Sequence, residues 1–190
     1  MLAVDERGEP LDGDQIVAVL AIDLGVDLVA VTTMANLGFH RLMIERGIRV
    51  VTTDVGDRYV LEALKREDGV LGGEQSGHVI YLNGHVTGDG LVAGLLLCGA
   101  LRGRSLAEAA AVMDRYPQAK ENVPVRTRDL SDGLRHEVDR INRSLSGRGR
   151  VLVRPSGTEP VIRVLAEAET DGEAAELCAS ITALVQQELG

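Results

Sequence analysis

Arg154, Ser156, Gly157 and Thr158 fall within five residues, in the string RPSGTEP at 154–160, and together they offer what a phosphate group requires. A guanidinium presents a planar fork to two oxygens, the two hydroxyls donate, and glycine lets backbone N–H groups approach an anion. One such charge-assisted hydrogen bond contributes roughly 1.5–3 kcal/mol net. The flanks read as strands, VLV at 151–153 before the string and VIRVLAEAE at 161–169 after it, the second alternating Ile162, Val164, Ala166 and Ala168 on one face. Such flanks fix the string at a strand end. A tight turn is the competing reading, because Pro155 and Gly157 are ordinary turn residues. Arg163, on the second strand, is expected to face solvent or a neighbouring carboxylate.

A second set of reactive groups lies in GGEQSGH at 72–78, again between strand signals. Glu74 can accept from sugar hydroxyls or an ammonium, Ser76 can donate or accept, and His78 is the candidate acid/base. That set suits a polyhydroxylated ligand, and a glycine-rich hairpin with solvated polar residues is the alternative. Asp12-Gly13-Asp14 resembles the start of a cation loop, but Gln15, Ile16 and Val17 follow it where further oxygen ligands are needed. A turn and an N-cap fit those carboxylates better, and no metal site is read here.

Composition narrows the partners. A net charge of −9 and 2% aromatic residues disfavour nucleic acid and anionic membranes, which demand clustered Lys and Arg or stacking surfaces. An acidic chain can still hold a small phosphorylated ligand in one local basic pocket. No stretch approaches the roughly 20 apolar residues of a bilayer span and no secretory signal opens the chain, so the expected compartment is the cytoplasm. Cys98 and Cys178 sit among apolar neighbours in helix-like segments and are expected as buried reduced thiols, with a disulfide between them left open.

The elements that must position these loops follow from periodicity. Residues 2–4 read as the end of a strand, after which Asp14 caps a helix over QIVAVLAIDL that stops at Gly25. Strand and helix signals then alternate through DLVAVTT, ANLGFHRLMIER, IRVVTT and DRYVLEALKRED, the pattern of a mostly parallel sheet. A short strand pair around GVLGGEQ and VIYL, a turn at Asn83-Gly84, a helix near Asp89 and a helix SLAEAAAVMDR with a Ser105/Glu108 capping box complete this part. The pattern changes at Tyr116-Pro117. Beyond it come a strand-like region, a helix striped by Leu134, Val138, Ile141 and Leu145, the two strands around RPSGTEP, and a final helix with a Thr170/Glu173 capping box. Ala174, Leu177, Cys178, Ile181, Leu184 and Val185 stripe that last helix. The expected fold class is α/β: a mixed, mostly parallel sheet with helices, followed by a small α+β domain with an antiparallel sheet.

GGEQSGH followed about 80 residues later by RPSGTEP, with VGDRYVLEAL at 55–64 and TGDG at 87–90, resembles the α-D-phosphohexomutase superfamily, and Gln75 after Glu74 most resembles its glucosamine-phosphate branch. The resemblance spans essentially the whole chain. It implies a four-domain enzyme with a phosphoserine in the first domain, a magnesium loop of the DGDxDR type in the second, a sugar loop in the third and a phosphate loop in the fourth. On that scheme residues 1–25 are the tail of domain two, 26–115 are domain three and 116–190 are domain four. Glu74, Ser76 and His78 then face the sugar, Asp57 and Arg58 line the cleft, and Arg154, Ser156, Gly157 and Thr158 hold the phosphate that is not transferred.

The resemblance also implies what this chain does not supply. No Ser-His-Asn string and no DGDxDR loop occur, so the serine and the magnesium of the complete enzyme belong outside it, and the expected first residue falls inside a truncated strand. The implied activity is interconversion of glucosamine 6-phosphate and glucosamine 1-phosphate through a 1,6-bisphosphate, with this chain binding hexosamine phosphate but inactive alone. A separate N-terminal half is the implied protein partner. A mannose- or glucose-phosphate mutase and a non-catalytic sugar-phosphate binding module are the rival readings.

Overall fold

A computed structural model describes residues 1–190 as two units, Met1–Arg115 and Tyr116–Gly190. The first opens with a two-stranded hairpin, β1 (Ala3–Val4) and β2 (Pro10–Leu11), and then runs α1 (Gly13–Leu24), β3 (Leu28–Thr32), α2 (Leu37–Glu45), β4 (Arg49–Thr53) and α3 (Asp57–Glu67). It ends with β5 (Leu71–Gly73), β6 (Val79–Tyr81), α4 (Gly90–Leu101) and α5 (Leu106–Ala110).

Strands β4, β3, β5 and β6 form one sheet in that order, with β3 parallel to both β4 and β5 and β6 antiparallel at the edge. β3 is buried along its whole length, and its side chains alternate between two cores. Val29 and Val31 join α1, α2, α4 and α5 on one face, while Leu28 and Ala30 meet Val60, Ala63 and Leu64 of α3 on the other. Helices on both faces are what parallel strands require, since neither face can be left wet. The loops after β3, β4 and β5 therefore emerge together at the carboxyl ends of parallel strands, where open α/β sheets bind ligands.

The first 25 residues pack into this unit. α1 buries eight residues from Gly13 to Ala21, and six of them, Ile16 to Ala21, lie in the main core of this unit. Its cap is Asp12 rather than Asp14: the Asp12 carboxylate accepts from Gln15 N at 3.0 Å and Gln15 Oε1 accepts from Asp12 N at 3.3 Å, a reciprocal capping box. Asp14 has moved inside the first turn and is buried. Two further expectations fail here. The helix after Ser105 ends at Ala110, because the chain turns to bury Met113 and to lay the Asp114 carbonyl against Gly38. Cys98 is exposed: α4 buries only the stripe Ala93, Leu97 and Ala100, and Cys98 lies about 100° round from Leu97.

In the second unit, β7 (Gln118–Pro124), α6 (Asp132–Leu145), β8 (Arg150–Pro155), β9 (Val161–Glu167) and α7 (Asp171–Leu189) follow in order. β9 is central and antiparallel to both neighbours. Val123, Val151, Ile162, Val164 and Ala166 meet Leu134 of α6 and Cys178, Ile181 and Val185 of α7 in one core. The Thr170/Glu173 capping box forms, with Glu173 N donating to Thr170 Oγ1 at 3.2 Å. The expected α/β class, a mostly parallel sheet and then a small antiparallel one, is the class observed. No helix is long and apolar enough to cross a membrane.

Candidate functional site

The 156–160 turn joins β8 to β9, so the register of those strands decides what surrounds it. Residues 150, 152 and 154 of β8 share a face with 163, 165 and 167 of β9 and with 118, 120 and 122 of β7, opposite the helices. At the far end of that face Glu167, fully buried, accepts from Gln118 Nε2 at 2.7 Å and pairs with Arg150. The row nearest the turn is different. Arg154 lies directly opposite Arg163, with Asn122 beyond it.

Arg163 reaches Glu159 at 3.3 Å, whereas Arg154 has no carboxylate, and the buried Nε of each has no hydrogen-bond partner. Burial, and then the Arg163 guanidinium beside it, hold the Arg154 pKa below the ordinary arginine range. Two guanidinium groups forced side by side at a strand end make a place for an anion. Arg163 was not selected from the sequence. Its signal was register: nine residues after Arg154 across a five-residue turn brings the two opposite each other.

The turn itself is braced from within and from α6's approach. Ser156 is buried, its N–H donates to Val161 O at 2.9 Å, and its Oγ accepts from Glu159 N at 3.3 Å. Arg128, also missed from sequence, donates to Ser156 O at 2.8 Å and to Gly157 O at 3.3 Å. With those carbonyls turned toward Arg128, the 156–158 backbone is held at both ends. Thr158 is exposed. A Cβ at Gly157 would meet nothing within 4 Å and its φ lies outside the left-handed region, so the fold itself does not require glycine there.

In the first unit, the 74–78 loop spans β5 to β6, closed by Glu74 N donating to His78 O and Gly77 N donating to Glu74 O, both at 2.9 Å. Glu74 is nearly buried, and its Oε1 accepts from Gly56 N at 3.0 Å. Gly56 has φ +137°, a conformation that side chains other than glycine rarely adopt, and this aims its N–H at the carboxylate. The Glu74 Oε2 lies 3.5 Å from His78 Nδ1, which is 3.2 Å from Ser76 Oγ. Glu74, Ser76 and His78 are therefore one connected group. A cleft of about 280 Å³ beside it is lined by Thr32, Met34, Val55, Glu74, Gln75 and Ser76.

Asp57 and Arg58 sit one step further out. Asp57 opens α3 and accepts from Arg58 N at 2.8 Å, and the exposed Arg58 guanidinium pairs with Glu62 at 2.8 Å. They reach the Glu74 group only through the neighbouring Gly56. Asp12 and Asp14 do not fit a magnesium ion. Asp12 caps α1 and lies 3.4 Å from Arg115, Asp14 faces inward to Asn36 N at 2.8 Å, and no group of three His, Cys, Asp or Glu gathers as a metal requires.

The family model for the phosphoglucomutase/phosphomannomutase alpha/beta/alpha domain III matches residues 12–116, and that for the C-terminal domain matches residues 104–184. The phosphoglucosamine mutase of Frankia alni is 51% identical across 99% of this chain, and that of Bacillus pumilus is 41% identical across all of it. The chain spans 44% and 45% of those two relatives, under half of their length. Among solved structures, the Aspergillus fumigatus N-acetylphosphoglucosamine mutase with GlcNAc-6P and magnesium aligns with a TM-score of 0.78 at 22% identity, covering 98% of this chain and 46% of that one. A phosphomannomutase-like protein of Thermus thermophilus aligns at 0.69 and 22%, covering 97% and 43%. Both family models and these relatives agree: this chain belongs to the phosphohexomutase family and carries its domain III and C-terminal domain.

Proposed function

We propose that this chain is the substrate-binding portion of a phosphoglucosamine mutase, which interconverts glucosamine 6-phosphate and glucosamine 1-phosphate by phosphoryl transfer through a phosphoserine and a 1,6-bisphosphate. The observation that carries the reading is Arg154, a guanidinium at a strand end with a buried Nε lacking a partner and a second arginine opposite it. A dianionic phosphate satisfies both cations, with the hydroxyls of Ser156 and Thr158 and the open backbone at Gly157 completing the donors. Glu74, Ser76 and His78 are assigned the sugar, the carboxylate suiting an ammonium or a hydroxyl and His78 standing as the acid/base candidate. Asp57 and Arg58 are assigned to the edge of that ring-facing loop.

Catalysis of phosphoryl transfer rests on positioning and on charge stabilisation of the group in flight. This chain supplies the first. It holds the phosphate at rest through Arg154 and Arg163 and the ring through Glu74. The reacting serine and the magnesium of the full enzyme are assigned to residues outside this chain, so by itself the chain binds without turnover. A separately supplied N-terminal half is the protein partner that fits this division, and the cytoplasm is the compartment assigned to it.

Competition between glucosamine 6-phosphate and mannose 6-phosphate tests the assignment. The amino sugar is expected to bind more tightly, because Glu74 offers it a charge-assisted bond. Equal or tighter binding of the mannose compound removes the amino-sugar assignment and leaves a general phosphohexomutase. Mixing the chain with one bearing a Ser-His-Asn loop and a DGDxDR loop should restore mutase activity, and silence despite demonstrated association favours a binding module.

A further inference from the structure

The Asp12-Gly13-Asp14 string does not fit a metal, yet it touches the ring-facing loop at three points. Gly13 N donates to Gln75 O at 2.9 Å, and a Cβ at Gly13 would stand 1.9 Å from Glu74 O, a distance real atoms do not reach. Asp14 is 1% exposed, and one oxygen of it, Oδ2, accepts from Asn36 N at 2.8 Å and from Gln75 Nε2 at 3.3 Å. Asn36 caps α2, its Oδ1 accepting from Gly38 N at 2.9 Å. One buried carboxylate thus joins the start of α1, the loop after β3 and the loop after β5.

We propose that Asp14 is a positioning residue for the ring-facing loop: it fixes the loop height through Gln75 and Asn36, and so sets how firmly Glu74 meets the sugar. The proposal rests on the assignment of Glu74 to the sugar for its effect on affinity, but not for its effect on the loop. A carboxylate oxygen at 1% exposure has no water to replace a lost partner, so each bond it accepts is stronger than the same bond at the surface. Gly13 makes the contact possible by leaving no side chain between α1 and the Glu74 carbonyl. Without Asp14 the Gln75 amide and the Asn36 N–H lose this acceptor, while the loop keeps the bonds from Gly13 N and Gly56 N and its own two closing bonds. Gln75, which lines the cleft beside Glu74, then affects sugar preference through its hold on Asp14.

The test uses the full 190-residue chain, isotope-labelled. In the absence of ligand, Asp14→Ala should raise amide exchange at Gly56, which donates to the Glu74 carboxylate, and at Gly77, which donates to its carbonyl, by about tenfold, with β3 and β4 amides unchanged. Asp14→Asn, which keeps an acceptor oxygen for Asn36, should recover most of the protection. With ligand, Asp14→Ala should weaken glucosamine 6-phosphate about tenfold and leave inorganic phosphate unchanged. Unchanged exchange at Gly56 and Gly77, or a rise shared equally by β3 and β4, overturns the proposal. Should Asp14→Ala fail to fold, Gln75→Ala removes one of the two bonds and should raise exchange at the same two amides about threefold, and no rise there overturns the proposal equally. If the unaltered chain takes glucosamine 6-phosphate no better than phosphate, the sugar assignment fails, while the exchange result still decides the role of Asp14.

Discussion

Replacing Arg154 and Arg150, two arginines of one strand face, by alanine should have opposite consequences, because their surroundings differ. Arg150 pairs with Glu167, whose side chain is 0% exposed and which also accepts from the Gln118 amide. Breaking a buried pair by removing one partner costs about 3–5 kcal/mol. In a unit of this size each kcal/mol lowers the melting temperature by about 4–8 °C, so Arg150→Ala should cost more than about 10 °C. Arg154 has no such partner. Its folded-state pKa lies below its unfolded value, so at neutral pH, under both, the fold carries the full cost of burying its charge and of holding it beside Arg163. Alanine removes that cost together with some stem packing, and stability should change by less than about 1 kcal/mol. Binding should behave in reverse. Loss of one or two bonds of roughly 1.5–3 kcal/mol each weakens phosphate by about tenfold to a hundredfold or more, at roughly 1.4 kcal/mol per factor of ten. Calorimetry with inorganic phosphate and thermal unfolding of both variants read the two effects. If Arg154→Ala destabilises as much as Arg150→Ala and leaves phosphate affinity unchanged, Arg154 is a structural residue and the anion site is lost.

Three further outcomes follow from the same structure. Gly157→Ala should leave the melting temperature within about 1 °C, since a Cβ there meets nothing, and should weaken phosphate several-fold by blocking the close approach of an anion; no change in affinity would show that glycine is incidental. A thiol reagent at about pH 8 should label exposed Cys98 quickly and Cys178 slowly, because burial raises the Cys178 pKa and hides its sulfur; equal rates would contradict the packing of α7. The purified chain should show no mutase turnover with magnesium and a hexose bisphosphate, and turnover that co-purifies with it would contradict the division of labour proposed here.

Much of the fold was legible because burial and chemistry left periodic marks. Alternation at Ile162, Val164 and Ala166 located β9, and the Ser105 and Thr170 capping boxes located two helix starts. The strings RPSGTEP and GGEQSGH identified both loops, since polar, glycine-rich residues between apolar strands stand out locally. What escaped was set by long-range pairing. Arg163 gains meaning only from its register opposite Arg154, and Arg128 only from reaching carbonyls 28 and 29 residues away. Asp14 looked like a cap because its spacing to α1 is right; its hydrogen bonds to residues 22 and 61 positions away place it inside instead. Cys98 was misjudged because every neighbour in α4 is apolar, so composition could not say which stripe of that helix faces the core.

On the reading proposed above, the RPSGTEP turn of the second unit holds a phosphate and the Glu74 loop of the first unit meets a sugar. Amide chemical shifts measured during titration with inorganic phosphate, and separately with glucosamine 6-phosphate, test it most directly. Phosphate alone should move Ser156, Gly157 and Thr158 together with Arg154 and Arg163, and the sugar phosphate should move those and also Glu74 to His78. Shifts absent from 154–163 at saturating phosphate, or a sugar phosphate response indistinguishable from that of phosphate alone, would contradict it.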